Sequence, residues 1–229
     1  MRKSKTAVAE GDVGTAAGAR SARAAADRPR LDRERVELAA LTEIDRVGWT
    51  AFSMRALAAE LAVEPMSLYH WFPSKAHLFE ALVDRTIRAI VVPDGAWEDR
   101  LRAGARSYRA AVTAHPGFTS YLLVHRFNTR PGLDLLERLL GIYVDAGFAP
   151  AARASAFRMF GHWLSGFCLD EAAGFAKGPS ALSPPPASEM SAWPTVCALG
   201  PFNQPEHFEQ LFTDGLEAMI VAHRVVLRG

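Results

Sequence analysis

Residues 52–82 read FSMRALAAELAVEPMSLYHWFPSKAHLFEAL, and the spacing within this stretch decides the fold. Leu57, Ala58 and Leu61 share one face of a first short helical segment, while Leu68 and Phe72, four apart, share one face of a second. The two faces pack together, with Ala58 at the closest approach and Val63 plugging the corner beyond the turn. Such a pair crosses steeply through a tight turn. Ser53 caps the first helix by accepting a hydrogen bond from an orphan amide, and Glu64-Pro65 opens the second with an acid and with a proline where no amide partner is lost. An ordinary helical hairpin has buried faces of the same kind. The outward face of the second helix separates the two readings: Pro65, Met66, Ser67 and His70 lie there, without the acidic or lysine-rich surface of a solvated helix. Pro73-Ser74-Lys75 then opens a third helix with a cation where a phosphate could sit. These features point to a helix-turn-helix that reads DNA.

Gly48, Phe52-Ser53-Met54-Arg55, Leu57-Ala58, Leu61-Ala62-Val63, Leu68-Tyr69, Phe72 and Ser74-Lys75 together resemble the amino-terminal domain of the TetR family of transcriptional regulators, over residues 31–92. The Leu-Tyr followed by an aromatic pair and then Lys is the most diagnostic part. The resemblance implies that Tyr69 and Lys75 hold backbone phosphates and that Pro65, Met66, Ser67 and His70 face base edges. Arg55 is a further candidate for phosphate or guanine, and Ser53, at the same helix start, is counted with this contact set. One position departs from the pattern: Ala62 stands where the turn usually carries glycine. In a left-handed conformation alanine costs about 1 kcal/mol relative to glycine.

The chain has 229 residues, 49% of them hydrophobic and 22% charged, the composition of a globular protein of one large or two modest domains. Cys168 and Cys197 are too few for a disulfide framework, and neither has a partner at metal spacing. They read as free thiols in a reducing cytoplasm. No apolar run reaches membrane-spanning length and no secretory signal is visible, so a cytoplasmic location is expected. Net charge is only +1, so nucleic-acid binding depends on where charge is placed. Residues 1–30 carry seven Lys or Arg against three acids, amid Ala, Gly and Ser. They read as a disordered basic arm, either lying along phosphates or in a minor groove, or serving as a solubilising extension. Enzymatic signals are absent. His162 and Cys168 lie six apart, off one another's face, Asp170 and Glu171 point apart, and there is no nucleophile turn or phosphate-cradling loop. Neither a cofactor nor a metal is expected.

The rest of the chain reads as all-α. Helices are predicted over 31–47, 53–61, 65–71, 74–91, 96–114, 118–127, 132–146, 150–175 and 205–227, separated by Pro93-Asp94-Gly95, His115-Pro116-Gly117, Arg130-Pro131-Gly132 and Ala146-Gly147. The proline-rich connection at 176–204 is a linker or a lid. The domain division is an arm at 1–30, a DNA-binding head at 31–92 and a helical body at 93–229. Two stripes in the body serve either a subunit interface or the core: Phe157, Phe160, Leu164 and Phe167, and Phe208, Leu211, Phe212, Leu216, Met219 and Val226. In the TetR family the corresponding helices form a four-helix interface, which implies a homodimer. Tyr108, His115, Phe118, Tyr121, His125, Phe127, Phe160, His162, Trp163 and Phe167 are either core or the wall of an apolar cavity with a few polar groups. The resemblance implies that such a cavity takes a small lipophilic or aromatic effector. The expected function is a ligand-responsive regulator, a repressor that binds a palindromic operator as a homodimer; the alternative is a helical small-molecule-binding protein without sequence-specific DNA binding.

Overall fold

The structure, a computed structural model, describes residues 31–125, 127–174, 181–202 and 204–228. Among them are ten α-helices and no strand. The amino-terminal arm predicted at 1–30, and residues 176–180 and 203 of the predicted connection, lie outside the described residues.

Four helices form the head: α1 (Arg33–Val47), α2 (Met54–Glu60), α3 (Pro65–Trp71) and α4 (Lys75–Arg88). Their starts follow local chemistry. Asp32, Ser53 and Ser74 each accept a backbone N–H three residues on, from Arg35, Ala56 and His77. α1 stops at Gly48, whose φ of 80° lies in the left-handed region that favours glycine. The turn between α2 and α3 passes through Ala62 at φ 53°, so the alanine that stands in place of glycine is left-handed. Val63 N–H donates back to Ala58 O at 3.0 Å and closes that turn. Leu57, Ala58, Leu68 and Phe72 are buried where α2 and α3 cross. Burying side chains of the size of Leu68 and Phe72 stabilises by about 1.5–3 kcal/mol each.

The body contains α5 (Trp97–Thr113), α6 (Pro116–Val124), α7 (Arg130–Asp145), α8 (Pro150–Ala173), α9 (Pro194–Leu199) and α10 (Phe208–Arg228). α5, α7, α8 and α10 pack as a bundle, and α6 lies between that bundle and α1. The helix predicted at 118–127 starts earlier because Pro116 suits the first helical position, and it ends at Val124. The helix predicted from 132 starts at Arg130, where Thr129 Oγ1 accepts Gly132 N–H. The connection predicted to be irregular contains the short helix α9 and two 3₁₀ turns, at Met190–Ala192 and Gly200–Phe202; a third, at Pro205–His207, takes the predicted start of the last helix, so that α10 begins at Phe208. Proline opens both α9 and the last of these turns. No described helix is long and apolar enough to cross a membrane. Cys168 is buried and Cys197 exposed, both as free thiols.

Candidate functional sites: the reading head and the helical cavity

Among the described residues, none covers the outer surface of α3. Leu68 faces inward, Met66 is 75% exposed and Tyr69 40%, His70 is exposed, and Pro65 and Ser67 are half-buried beside them. His70 meets only the edge of the neighbouring Trp71 ring. Arg55 projects from α2 on the exposed side, and the Ser53 hydroxyl serves as the α2 cap. Lys75 differs from expectation. Its ammonium turns inward and donates to Phe52 O at 2.7 Å and Trp49 O at 3.1 Å, lying over the rings of Phe52 and Phe79. Burial pulls its pKa down. Two carbonyls of the α1–α2 turn engage two of the three ammonium N–H groups, so Lys75 fastens that turn to the start of α4.

Four residues predicted for the ligand wall lie in the joint between head and body. Asp45 at the end of α1 accepts Gly117 N–H at 2.9 Å and contacts His115 Nδ1 at 2.7 Å, which caps α6 across the joint. The contact there is tight: a Cβ added to Gly117 would come within 2.4 Å of Ile44 O. Phe118 and Tyr121 stack on each other and meet Phe79 edge-on, Tyr121 also touches Trp49, and Trp49 Nε1 donates to Ser120 Oγ. His125 Nε2 contacts Glu80 on α4 at 3.0 Å. These four side chains join head to body and do not line the cavity.

The cavity itself, about 170 Å³, lies between α5, α7 and α8. Tyr108, Phe127, Phe160 and His162 line it, as the sequence predicted, joined by Arg100, Gly104, Tyr143, Phe157, Gly161 and Ser165. Burial raises the pKa of Tyr108, and the Ser165 hydroxyl, which also lines the cavity, lowers it by less. Tyr143 is held above the ordinary tyrosine range by burial. Its hydroxyl is 3.3 Å from Nε2 of the fully buried His223, whose pKa burial lowers and whose Nδ1 is 2.6 Å from Met219 O. Trp163 and Phe167, the remaining predicted wall residues, point elsewhere. Trp163 stacks on Phe212 of α10, and a Cβ added to Gly215 would come 2.8 Å from its ring; Phe167 packs on Phe212 under the Arg109 guanidinium.

Residues 38–82 match the family of bacterial regulatory proteins, tetR family, and residues 92–222 match the tetracyclin repressor-like C-terminal domain. The chain belongs to the TetR family. Transcriptional regulation in response to a ligand is therefore its functional class. The HTH-type transcriptional repressor DrrR1 of Streptomyces coeruleorubidus is 31% identical over 61% of this chain; the match spans 53% of that protein. The tetracycline repressor protein class C of Escherichia coli is 29% identical over 83% of this chain and 92% of its own length. Among solved structures, a possible TetR family regulator from Streptomyces coelicolor A3(2) superposes with a TM-score of 0.69 at 25% identity, covering 85% of this chain and all of that one. The S. coelicolor TetR family protein ActR, solved with actinorhodin, has the same fold at a TM-score of 0.65 and 21% identity, over 86% of this chain and 98% of that one.

Within this TetR family body, the two predicted stripes run mainly along the inner faces of their helices. Phe160, Leu164, Phe212 and Leu216 are buried in the subunit's own core. The outer faces carry a different pattern. Ser155, Met159, His162, Gly166, Leu169 and Ala173 on α8 are exposed at alternating steps of four and three, as are Leu211, Asp214, Ala218, Val221, Val225 and Arg228 on α10. That alternation is the repeat of a helix-packing seam. Leu211, counted in the inner stripe by sequence, belongs to the outer one. α10 is held to α5 by bidentate pairs, Arg102 to Glu217 and Arg224 to Glu98.

Proposed function

We propose that the chain acts as a homodimeric repressor that reads a two-fold symmetric operator with α3 and is released by a small, largely apolar effector bound between α5, α7 and α8. The observation that carries this reading is the outer face of α3, where Met66, Tyr69 and His70 stand exposed beside Ser67 on a helix whose inner face is locked into the head. Met66 and Pro65 suit thymine methyl contacts, and Ser67 and His70 suit hydrogen bonds to base edges. Exposed Tyr69 suits a phosphate, and exposed Arg55 suits a phosphate or a guanine. Lys75 acts through the turn it holds.

The seam on α8 and α10 supports the dimer, since small residues such as Gly166, Ala173 and Ala218 let two helix pairs approach closely. Two heads so joined place their reading helices about 34–36 Å apart, one turn of DNA. α6 is the lever between ligand and DNA. Its first turn presses on α1 through Gly117 and Asp45, and Phe127, three residues past its end, lines the cavity. A ligand releases DNA only to the extent that it prefers the head separation that does not fit the operator. The domain division follows the same logic, with the head through residue 92, the body after it, and the work done in the cytoplasm where the DNA is.

Ser67→Ala and His70→Ala, assayed by mobility shift against a selected operator and its single-base variants, test the reading. Each should change discrimination at one or two symmetric positions by about 1–3 kcal/mol. Unchanged base preference in both variants would remove α3 from the role of reader.

A further inference from the structure

Taking the cavity between α5, α7 and α8 as the effector site, we infer that it selects a ligand bearing an oxyanion, a carboxylate or ionised phenol on an apolar ring body, and that Arg100 is the anchor for that oxyanion. Among the described residues, Arg100 is the one lining residue with a permanent charge, and no carboxylate faces it from the wall. Its Nη1 donates to Asp145 Oδ2 at the exposed end of α7, while its Nε is buried without a hydrogen-bond partner. The arrangement leaves the side-on edge of the guanidinium, Nε with Nη2, for two oxygens of a carboxylate, the geometry in which arginine binds such groups most strongly. Asp145 cannot serve that edge because it is already engaged at Nη1 and sits 64% exposed on the far side.

The rest of the wall fixes the shape of the ligand. Arg100, Gly104 and Tyr108 follow one another at four-residue steps on one face of α5, so the cationic end and the Tyr108 end, where Ser165 also lines the wall, lie about 12 Å apart. Between them Gly104 leaves the helix surface bare: a Cβ there would touch only Val92 Cγ2, at 3.7 Å. Leu139, Ile142 and Phe157 close the middle with hydrocarbon. A flat ring body fits between the ends, its oxyanion on Arg100. Gly161 lies at the mouth, where the cavity meets a surface groove that shares Phe157 and His162, and nothing stands within 4 Å of an added Cβ.

Calorimetric titration of 2-naphthoate and of its methyl ester into the intact dimer, Arg100→Met and Gly161→Trp decides the matter. The wild type should bind the acid about 10- to 100-fold tighter than the ester, the worth of a hydrogen bond to a charged group. Arg100→Met should bind both alike, at the wild-type ester's affinity, and Gly161→Trp should bind neither. Arg100→Met leaves only the exposed Asp145 unpaired; should that variant fail to fold, the wild-type ratio of acid to ester decides alone. Equal binding of acid and ester by the wild type, or an acid preference that survives Arg100→Met, would overturn the oxyanion anchor and leave the cavity standing. Failure of the wild type to bind either probe, or binding indifferent to Gly161→Trp, would overturn the effector site and the anchor with it.

Discussion

Replacing Lys75 by methionine keeps the apolar stem and removes the ammonium that donates to Trp49 O and Phe52 O. Each hydrogen bond from a charged donor is worth about 1.5–3 kcal/mol by mutation, and the two ring contacts add a fraction more. Against this stands the desolvation of the ammonium, which the lowered pKa records and which methionine does not suffer. The net loss should be about 2 kcal/mol, or about 4–8 °C in melting temperature for a chain of this size. Operator affinity should fall because the turn before α2 loosens, but the dependence of log affinity on log salt should stay as in the wild type. A lysine on a phosphate behaves otherwise: its loss reduces the salt slope by about 0.9 for each half-site. Calorimetric melting combined with operator titration across salt concentrations separates the two. An unchanged melting temperature with a reduced slope would refute the positioning role and return Lys75 to the phosphate.

Ala62→Gly removes a left-handed alanine from the reading-head turn and should stabilise the protein by about 1 kcal/mol, seen as a higher melting temperature with operator preference unchanged. Trp163→Ala should cost about 3 kcal/mol or more, because it empties the site against Phe212 and Gly215, while the surviving folded protein keeps its ligand affinity. Glu98 and Glu217 are held below the ordinary carboxylate value of 4.5, mainly by hydrogen bonds from Arg224 and Arg102. With folded pKa values below the unfolded ones, their contribution is fully present above about pH 4.5 and is lost as pH falls through the folded values. Melting temperature should therefore decline below that pH, and less steeply in Glu217→Gln, whose decline matching the wild type's would show that the Arg102–Glu217 pair carries no stability.

Helix starts and the reading-head turn were legible because capping is local: Ser53, Ser74 and the left-handed Ala62 act within three or four residues of sequence. Lys75 was not, because the acceptors that claim it, Trp49 O and Phe52 O, are main-chain atoms more than twenty residues away. The histidines and aromatics of α6 share the composition of a ligand wall. Their distant partners, Asp45 for His115 and Glu80 for His125, show that they build a joint. Bulky apolar stripes mark the inner faces of α8 and α10, since the largest apolar side chains fill the subunit core first. The outer seam, with Gly166, Ala173 and Ala218, is marked by smallness. Cavities have the same difficulty, being defined by missing atoms. Gly104 and Gly161, glycines in mid-helix with no turn to serve, were the available signal.

The central claim is that two copies of α3 read DNA together. Selection from a random duplex pool with the wild-type chain, followed by sequencing of the bound fraction, tests it most directly. The account predicts enrichment of an inverted repeat whose half-sites are centred one helical turn, or a whole number of turns, apart; recovery of a lone half-site, or of no motif above the salt-sensitive background, would contradict it.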